Sequence, residues 1–207
     1  MAKANLIGGE WVHGATTVVD VNPSDLSDVV GEYAVADEDQ VDLAIAAASD
    51  AAPAWAATTP AERFAVLERI GLELEARASE LGEQLSREEG KPRAEGVGEV
   101  LRAAQLFRFF AGEALRIPGE HVRSVRPGVD VDVVREPLGV VGIITPWNFP
   151  IAIPAWKNAP ALAYGCTVVC KPAELVPASA WSLVEICSRA GLPPGVLNLV
   201  VGRPPPR

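Results

Sequence analysis

Cysteine, histidine and methionine are scarce here: 207 residues hold three Cys, two His and one Met. So few cysteines, in odd number, exclude a disulfide framework and fit a reducing compartment, so a cytoplasmic protein is expected. His13 and His121 share no metal-ligand spacing with Cys166, Cys170 or Cys187, and no metal site is expected. Positive charge is short as well. Against 27 Asp and Glu stand 18 Lys and Arg, a net charge of −9, which argues against nucleic acid as a partner because phosphate backbones are met by clustered cations. Membrane spans are missing too. Residues 137–156 carry no charge, but Pro137, Pro146, Pro150 and Pro154 exclude a simple spanning helix, and no apolar segment of a secretory signal follows Met1. No G-x-G-x-x-G follows a predicted strand; Gly96-Val97-Gly98 falls inside a helical pattern.

What is present is a globular composition, 49% hydrophobic and 22% charged, enough for one good core or two small ones. Gly8-Gly9 turns between apolar neighbours, and Val18 to Val21 runs into Asn22-Pro23, so the first thirty or so residues read as short strands forming a flap over the domain. Asp37 and Gln40 read as a capping box opening a helix whose buried stripe is Val41, Ile45 and Ala48 and which Pro53 ends. Thr59-Pro60-Ala61-Glu62 starts a long helix with Phe64, Leu67, Leu74, Ala78, Leu81 and Leu85 on its core face; Gly90 and Pro92 break it. A third helix over 93–115 buries Val97, Leu101, Ala104, Ala111 and Leu115, with Phe107 to Phe110 filling its middle. Around Pro127-Gly128, the runs 122–125 and 129–133 make a hairpin with one wet face.

The last third alternates strand and helix: strands over 140–144, 167–171 and 196–201, helices over 151–164 and 177–190. The apolar run 140–144, rich in branched residues and bracketed by prolines, is written like a parallel strand covered on both faces. Asn148 follows its end, and Lys171 and Glu174 follow the next strand. Ligands of open α/β sheets bind outside the carboxyl ends of the strands, so an amide, an ammonium and a carboxylate should meet at one rim.

Thr145-Pro146-Trp147-Asn148-Phe149-Pro150, Trp156-Lys157-x-Ala159-Pro160-Ala161-Leu162, Gly165-Cys166-Thr167-Val168-Val169-Cys170-Lys171-Pro172-Ala173-Glu174 and Gly191-Leu192-Pro193-x-Gly195-Val196-Leu197-Asn198 resemble the aldehyde dehydrogenase superfamily in order and spacing. Ile7-Gly8-Gly9-Glu10-Trp11 through Asn22-Pro23 is similar to that family's N-terminus. The run 122–131 is most like 2-oxoglutarate semialdehyde (2,5-dioxovalerate) dehydrogenases. The resemblance implies an α/β fold: a Rossmann-like parallel sheet with flanking helices, a partial cofactor-binding domain, plus a β-hairpin arm. Residues 1–120 would supply the flap and helices, 121–138 an arm pairing subunits of a homo-oligomer, and 139–207 the first β-α-β-α-β half.

It implies oxidation of a small aldehyde substrate to an acid, with Asn148 as the amide donor to the developing oxyanion. Lys171 and Glu174 would hold the adenosine ribose hydroxyls, and a carboxylate there favours NAD over NADP. Ile144, Thr145, Pro146, Trp147 and Gly202 would line the same cofactor site. Against these stand plainer readings: Asn148 as a turn cap, and Lys171 with Glu174 as a surface ion pair. Trp156 is expected in the core, and Lys157 in the crevice or beside a carboxylate. Cys166, Cys170 and Cys187 sit among apolar neighbours and are expected to be structural. The family's nucleophilic cysteine and partner glutamate have no counterpart here, and Arg203-Pro204-Pro205-Pro206-Arg207 cannot open a helix normally. An N-terminal fragment, inactive alone, is therefore expected; the alternatives are a stand-alone NAD-binding module or a fragment pairing with full-length subunits.

Overall fold

The computed structural model describes residues 2–202, so the proline run after Gly202 lies outside the described residues. In chain order the elements are β1 (Asn5–Ile7), β2 (Glu10–Val12), β3 (Thr16–Val21), β4 (Val29–Val35), α1 (Glu38–Ala56), α2 (Pro60–Ala76), α3 (Ala78–Glu89) and α4 (Arg93–Ala114). There follow β5 (Glu120–Arg123), β6 (Asp130–Val133), β7 (Val140–Ile144), α5 (Ala152–Ala163), β8 (Thr167–Lys171), α6 (Pro177–Arg189) and β9 (Leu197–Leu199). The expected β-α-β-α-β half is there.

The main sheet has the order β2-β1-β9-β8-β7, with β7, β8 and β9 parallel and β1 antiparallel to β9. The first hairpin is thus part of the sheet and not a flap laid over it; Gly8 and Gly9, at φ 61° and 90°, make the tight turn that lets β2 fold back on β1. Strand β8 is the spine. Val169 packs with Ala44 and Ala48 of α1 on one face, while Val168 and Cys170 join the large core with Leu162 and Leu183 on the other. That alternation is the two-residue period of a strand buried between helical layers.

Strand β7 departs from expectation. Only Ile143 of β7 is buried, because β7 is the sheet's outer strand among the described residues and is hydrogen-bonded to β8 alone. The long helix also differs: it breaks at Arg77, φ −99° and ψ 13°, into α2 and α3. Arg77 holds the corner by pairing with Glu80 at 2.6 Å and Glu73 at 3.4 Å, and the break lets α2 pack on α4 and α5 while α3 packs on α4 and α6. Helix α1 runs through Pro53 to Ala56, since buried Trp55 anchors its last turn by donating from Nε1 to Leu162 O at 3.2 Å. Ile45 faces solvent at 47% exposure, and Ala44 and Ala48 form the buried stripe. The capping box at Asp37 is half formed: Asp37 accepts from Gln40 N at 2.9 Å, but the Gln40 side chain turns away to His13 O at 2.9 Å. At Thr59 and Glu62 the box is complete. On α4, Leu101 is exposed, as is Leu115 just past its end, while Ala104, Phe107 and Ala111 are buried. The expected hairpin β5–β6 forms, with Val122 opposite Val131, but every residue of its two strands is exposed, so both faces are wet.

Three segments meet at a buried carboxyl pair. Glu88 of α3 accepts from Ser179 N at 3.0 Å and from the N–H of Ala178 and the hydroxyl of Ser179, tying it to the start of α6. Both oxygens of Asp20 in β3 are buried without a donor, and the group facing them is the Glu88 carboxyl. Burial disfavours the charged form of each neighbouring carboxyl, so the pair keeps its protons to higher pH than free carboxylates do. Burial pushes Asp20 up to about 6 and Glu88 well above its ordinary range, opposed at Asp20 by its contact with Glu88 and then by Lys3 and Arg87. Because the folded pKa is raised, the stabilisation is fully present below the ordinary value of 3.8 and is lost as pH rises through about 6. Urea unfolding should therefore show stability falling between pH 4 and 7, at no more than about 1.4 kcal/mol per pH unit for each proton that the folded pair retains, and Asp20→Asn should lessen that slope.

Candidate functional site

The rim is set by one register. Parallel pairing of β7 with β8 places Ile144 opposite Lys171, and Thr145 N donates to Lys171 O at 3.2 Å, so the chain leaving β7 passes the end of β8. Strand β9 is parallel to β8 as well, so Gly202, three residues past β9, lies at the same edge. The structure thus brings residues 144–148, Lys171, Glu174 and Gly202 to the carboxyl side of the sheet. Between β7 and α5 the chain makes an elbow with no regular structure.

Along that elbow Ile144 is 79% exposed and Trp147 57%, Pro146 and Asn148 are exposed, and Thr145 is buried with Oγ1 lacking a partner. The Asn148 side chain makes no hydrogen bond among the described residues, so it is not occupied as a turn cap. Lys171, half-buried, donates from Nζ to Pro172 O at 2.9 Å; no ion pair joins it to Glu174 among the described residues. The plain surface pair is therefore not what these two residues form. An ammonium, a half-buried carboxylate and an unengaged amide are thus carried on segments that end at the rim.

Beside the elbow, a cleft of about 570 Å³ opens between α4 and α5, lined by Arg102, Phe149, Ile153 and Trp156 among others. Trp156, expected in the core, is 52% exposed on its wall: α5 turns its small residues Ala155 and Ala159 to the core and leaves the indole outside. Lys157 is exposed and pairs with no carboxylate among the described residues. Arg102 likewise has no carboxylate partner there; its contact is Gln105 Oε1 at 3.5 Å.

Two residues absent from the sequence reading stand under the elbow. Glu99 of α4 is buried, and its Oε1 accepts from Ile151 N and Ala152 N, each at 3.1 Å, capping α5 from another helix. Its Oε2 lies 2.6 Å from Lys91 Nζ, which is also 2.8 Å from Glu89, 3.5 Å from Asn148 O and 4.7 Å from the Phe149 ring centre. Burial opposes the charge on Lys91, but its contacts with Glu89 and Glu99 outweigh that and raise its pKa. The available signal was a glutamate on the core face of α4, one residue before buried Val100.

All three cysteines are buried. Burial pushes the Cys170 thiol up to about 11, against the weaker pull of the Asn158 amide and Lys171, and raises Cys187 further. A nucleophilic thiolate needs the opposite environment. At neutral pH a thiol reagent such as 5,5′-dithiobis(2-nitrobenzoate) should therefore leave the native protein unlabelled over minutes and react with three thiols in guanidinium; rapid labelling of the native protein would contradict this account.

Residues 11–205 match the Aldehyde dehydrogenase family. The chain is 44% identical over 201 residues to an alpha-ketoglutarate semialdehyde dehydrogenase of Haloferax volcanii, a match covering 96% of this chain and 42% of that protein. It is 42% identical over 200 residues to the alpha-ketoglutaric semialdehyde dehydrogenase of Bacillus subtilis, with 96% and 41% covered. Among solved structures, an E. coli NADP dependent enzyme superposes with a TM-score of 0.95 at 38% identity, over 99% of this chain and 43% of that one. Betaine aldehyde dehydrogenase of Staphylococcus aureus, in complex with NAD+, gives 0.93 at 32% identity, over 98% and 42%. The chain thus spans about two fifths of the length of its relatives, and on sequence and architecture together it belongs to the aldehyde dehydrogenase family.

Proposed function

We propose that this chain forms the cofactor side of an NAD-dependent aldehyde dehydrogenase acting on a small aldehyde with a carboxylate at its other end. The observation that carries the reading is the Ile144–Lys171 register, which sets the Asn148 elbow, Lys171 and Glu174 on one rim. The fit to a dinucleotide rests on what that rim offers. Exposed Ile144 and Leu175 give apolar surface for a flat base, beside an ammonium and a carboxylate able to hold ribose hydroxyls. A carboxylate at Glu174 repels a 2′-phosphate, which favours NAD over NADP. Bound there, NAD would supply the hydride acceptor. The Asn148 amide donates to the aldehyde oxygen as negative charge builds on it. The nucleophile is none of Cys166, Cys170 and Cys187, since each is buried. Residues 1–120 and 139–207 serve the cofactor fold, and the hairpin of 121–138, wet on both faces, serves as an arm between subunits of a homo-oligomer in the cytoplasm.

Titration calorimetry on the purified protein tests the cofactor site. NAD should bind more tightly than NADP, Lys171→Ala and Glu174→Ala should each weaken NAD by roughly tenfold through lost hydrogen bonds to the ribose, and Glu174→Gln should narrow the NAD–NADP gap. Absence of any NAD binding would remove this reading.

The substrate class rests on Arg102, which lines the cleft next to Phe149 together with Lys91, Glu95 and Glu99 and, unlike Lys91, has no carboxylate partner among the described residues. In an aldehyde dehydrogenase of the relatives' length that carries these residues, Arg102→Ala should raise KM for a carboxylate-bearing aldehyde by roughly tenfold, the worth of a charge-assisted hydrogen bond, and leave KM for propanal within about twofold. Equal effects on both substrates would exclude Arg102 as the recognising group.

A further inference from the structure

The Asn148 side chain has no hydrogen bond of its own among the described residues, so the backbone that carries it is what fixes where the amide starts from. That backbone lies outside strand and helix and needs other anchors. It is held at both ends of the elbow. Upstream, Thr145 N is tied to Lys171 O at 3.2 Å. Downstream, Glu99 Oε1 takes the amides of Ile151 and Ala152 at 3.1 Å each. Lys91 closes the arrangement: its Nζ lies 2.6 Å from Glu99 Oε2, 3.5 Å from the carbonyl oxygen of Asn148 itself, and 4.7 Å from the Phe149 ring centre. Both oxygens of one buried carboxylate are thus used, one on the start of α5 and the other on the lysine that reaches the elbow. The second carboxylate on Lys91, Glu89 at 2.8 Å, keeps the ammonium where it is.

We infer that Lys91 and Glu99 form a positioning bracket for the Asn148 amide, acting on the reaction through Asn148 and not on the substrate directly. The inference rests on the proposed oxyanion role of Asn148. Lys91 arrives from the turn between α3 and α4, and Glu99 from the second turn of α4, so the packing of those helices sets where the amide starts from. The bracket is ionic at its centre, which makes it specific. Glutamine at 99 would still accept from the two α5 amides but would leave Lys91 without that charge; methionine at 91 would keep the packing on Phe149 and lose the cation.

A double-mutant cycle in an aldehyde dehydrogenase of the relatives' length that carries these residues tests this. Lys91→Met is made with Asn148 present and in the Asn148→Ala background, with kcat, KM for NAD and Tm measured for each. Misplacing an oriented donor lowers the rate by roughly tenfold to a hundredfold, so kcat should fall by that factor when Asn148 is present and by less than about twofold when it is absent. KM for NAD should stay within about twofold throughout, and Lys91→Arg should restore most of kcat. The same cycle run with Glu99→Gln keeps the comparison available if Lys91→Met does not fold. An equal fall in both backgrounds would reduce the bracket to a brace of the fold and overturn the inference; so would an unchanged kcat in both single variants. If Asn148→Ala itself left kcat unaltered, the oxyanion reading would fall first and the bracket with it, an outcome distinct from the other two.

Discussion

Everything at the rim depends on β8 being buried between β7 and β9 in parallel register. Its residues satisfy backbone partners on both sides and apolar neighbours on both faces, Val169 toward α1 and Val168 and Cys170 toward α5 and α6. A strand so enclosed cannot slip by one residue without turning each side chain to the wrong layer. Because it cannot slip, Lys171 is held opposite Ile144, and the chain beyond β7 must turn where it does.

Around that spine the molecule uses buried ionisable side chains as long-range caps. Glu99 caps α5 from α4 and Glu88 caps α6 from α3, each meeting helix-start amides that have no partner within their own helix. Arg63 does the converse at the other end of α5, donating from Nε to Ala163 O at 3.0 Å and from Nη1 to Thr58 O at 2.6 Å. Such groups are costly to bury and are kept where they answer several orphan groups at once. They also join elements far apart in sequence, so the rim is braced by helices that contribute nothing to it directly.

Much of this was legible from residue order. The alternation of elements in the last third, the cap at Thr59, the hairpin about Pro127-Gly128 and the inert setting of the cysteines all follow from local pattern, and the structure has them. The misreadings share a cause: periodicity reports that a residue is apolar, not which face finds a partner. Apolar pattern puts Ile45 and Trp156 inside, whereas the helices turn alanines inward because close packing on the sheet and on neighbouring helices favours small side chains there. Strand β7 read as covered because its composition is that of a central strand, yet its outer edge is unpaired among the described residues. Arg77 carries no helix-breaking signal at all; the corner there answers to the separate surfaces that α2 and α3 must meet.

By itself the sequence determined the family, the parallel β-α-β-α-β order and the residue types available at the carboxyl edge, because strand period, turn residues and motif spacing are local properties. Tertiary structure alone decided which groups support them. That Lys91 and Glu99 lie beneath Asn148, that Asp20 meets Glu88, and that Arg102 faces a cleft without a carboxylate partner among the described residues depend on how α3 and α4 pack against α5 and α6. These pairs are separated by tens of residues along the chain. Their meeting is a consequence of helix packing angles and a break at Arg77, which no local pattern encodes.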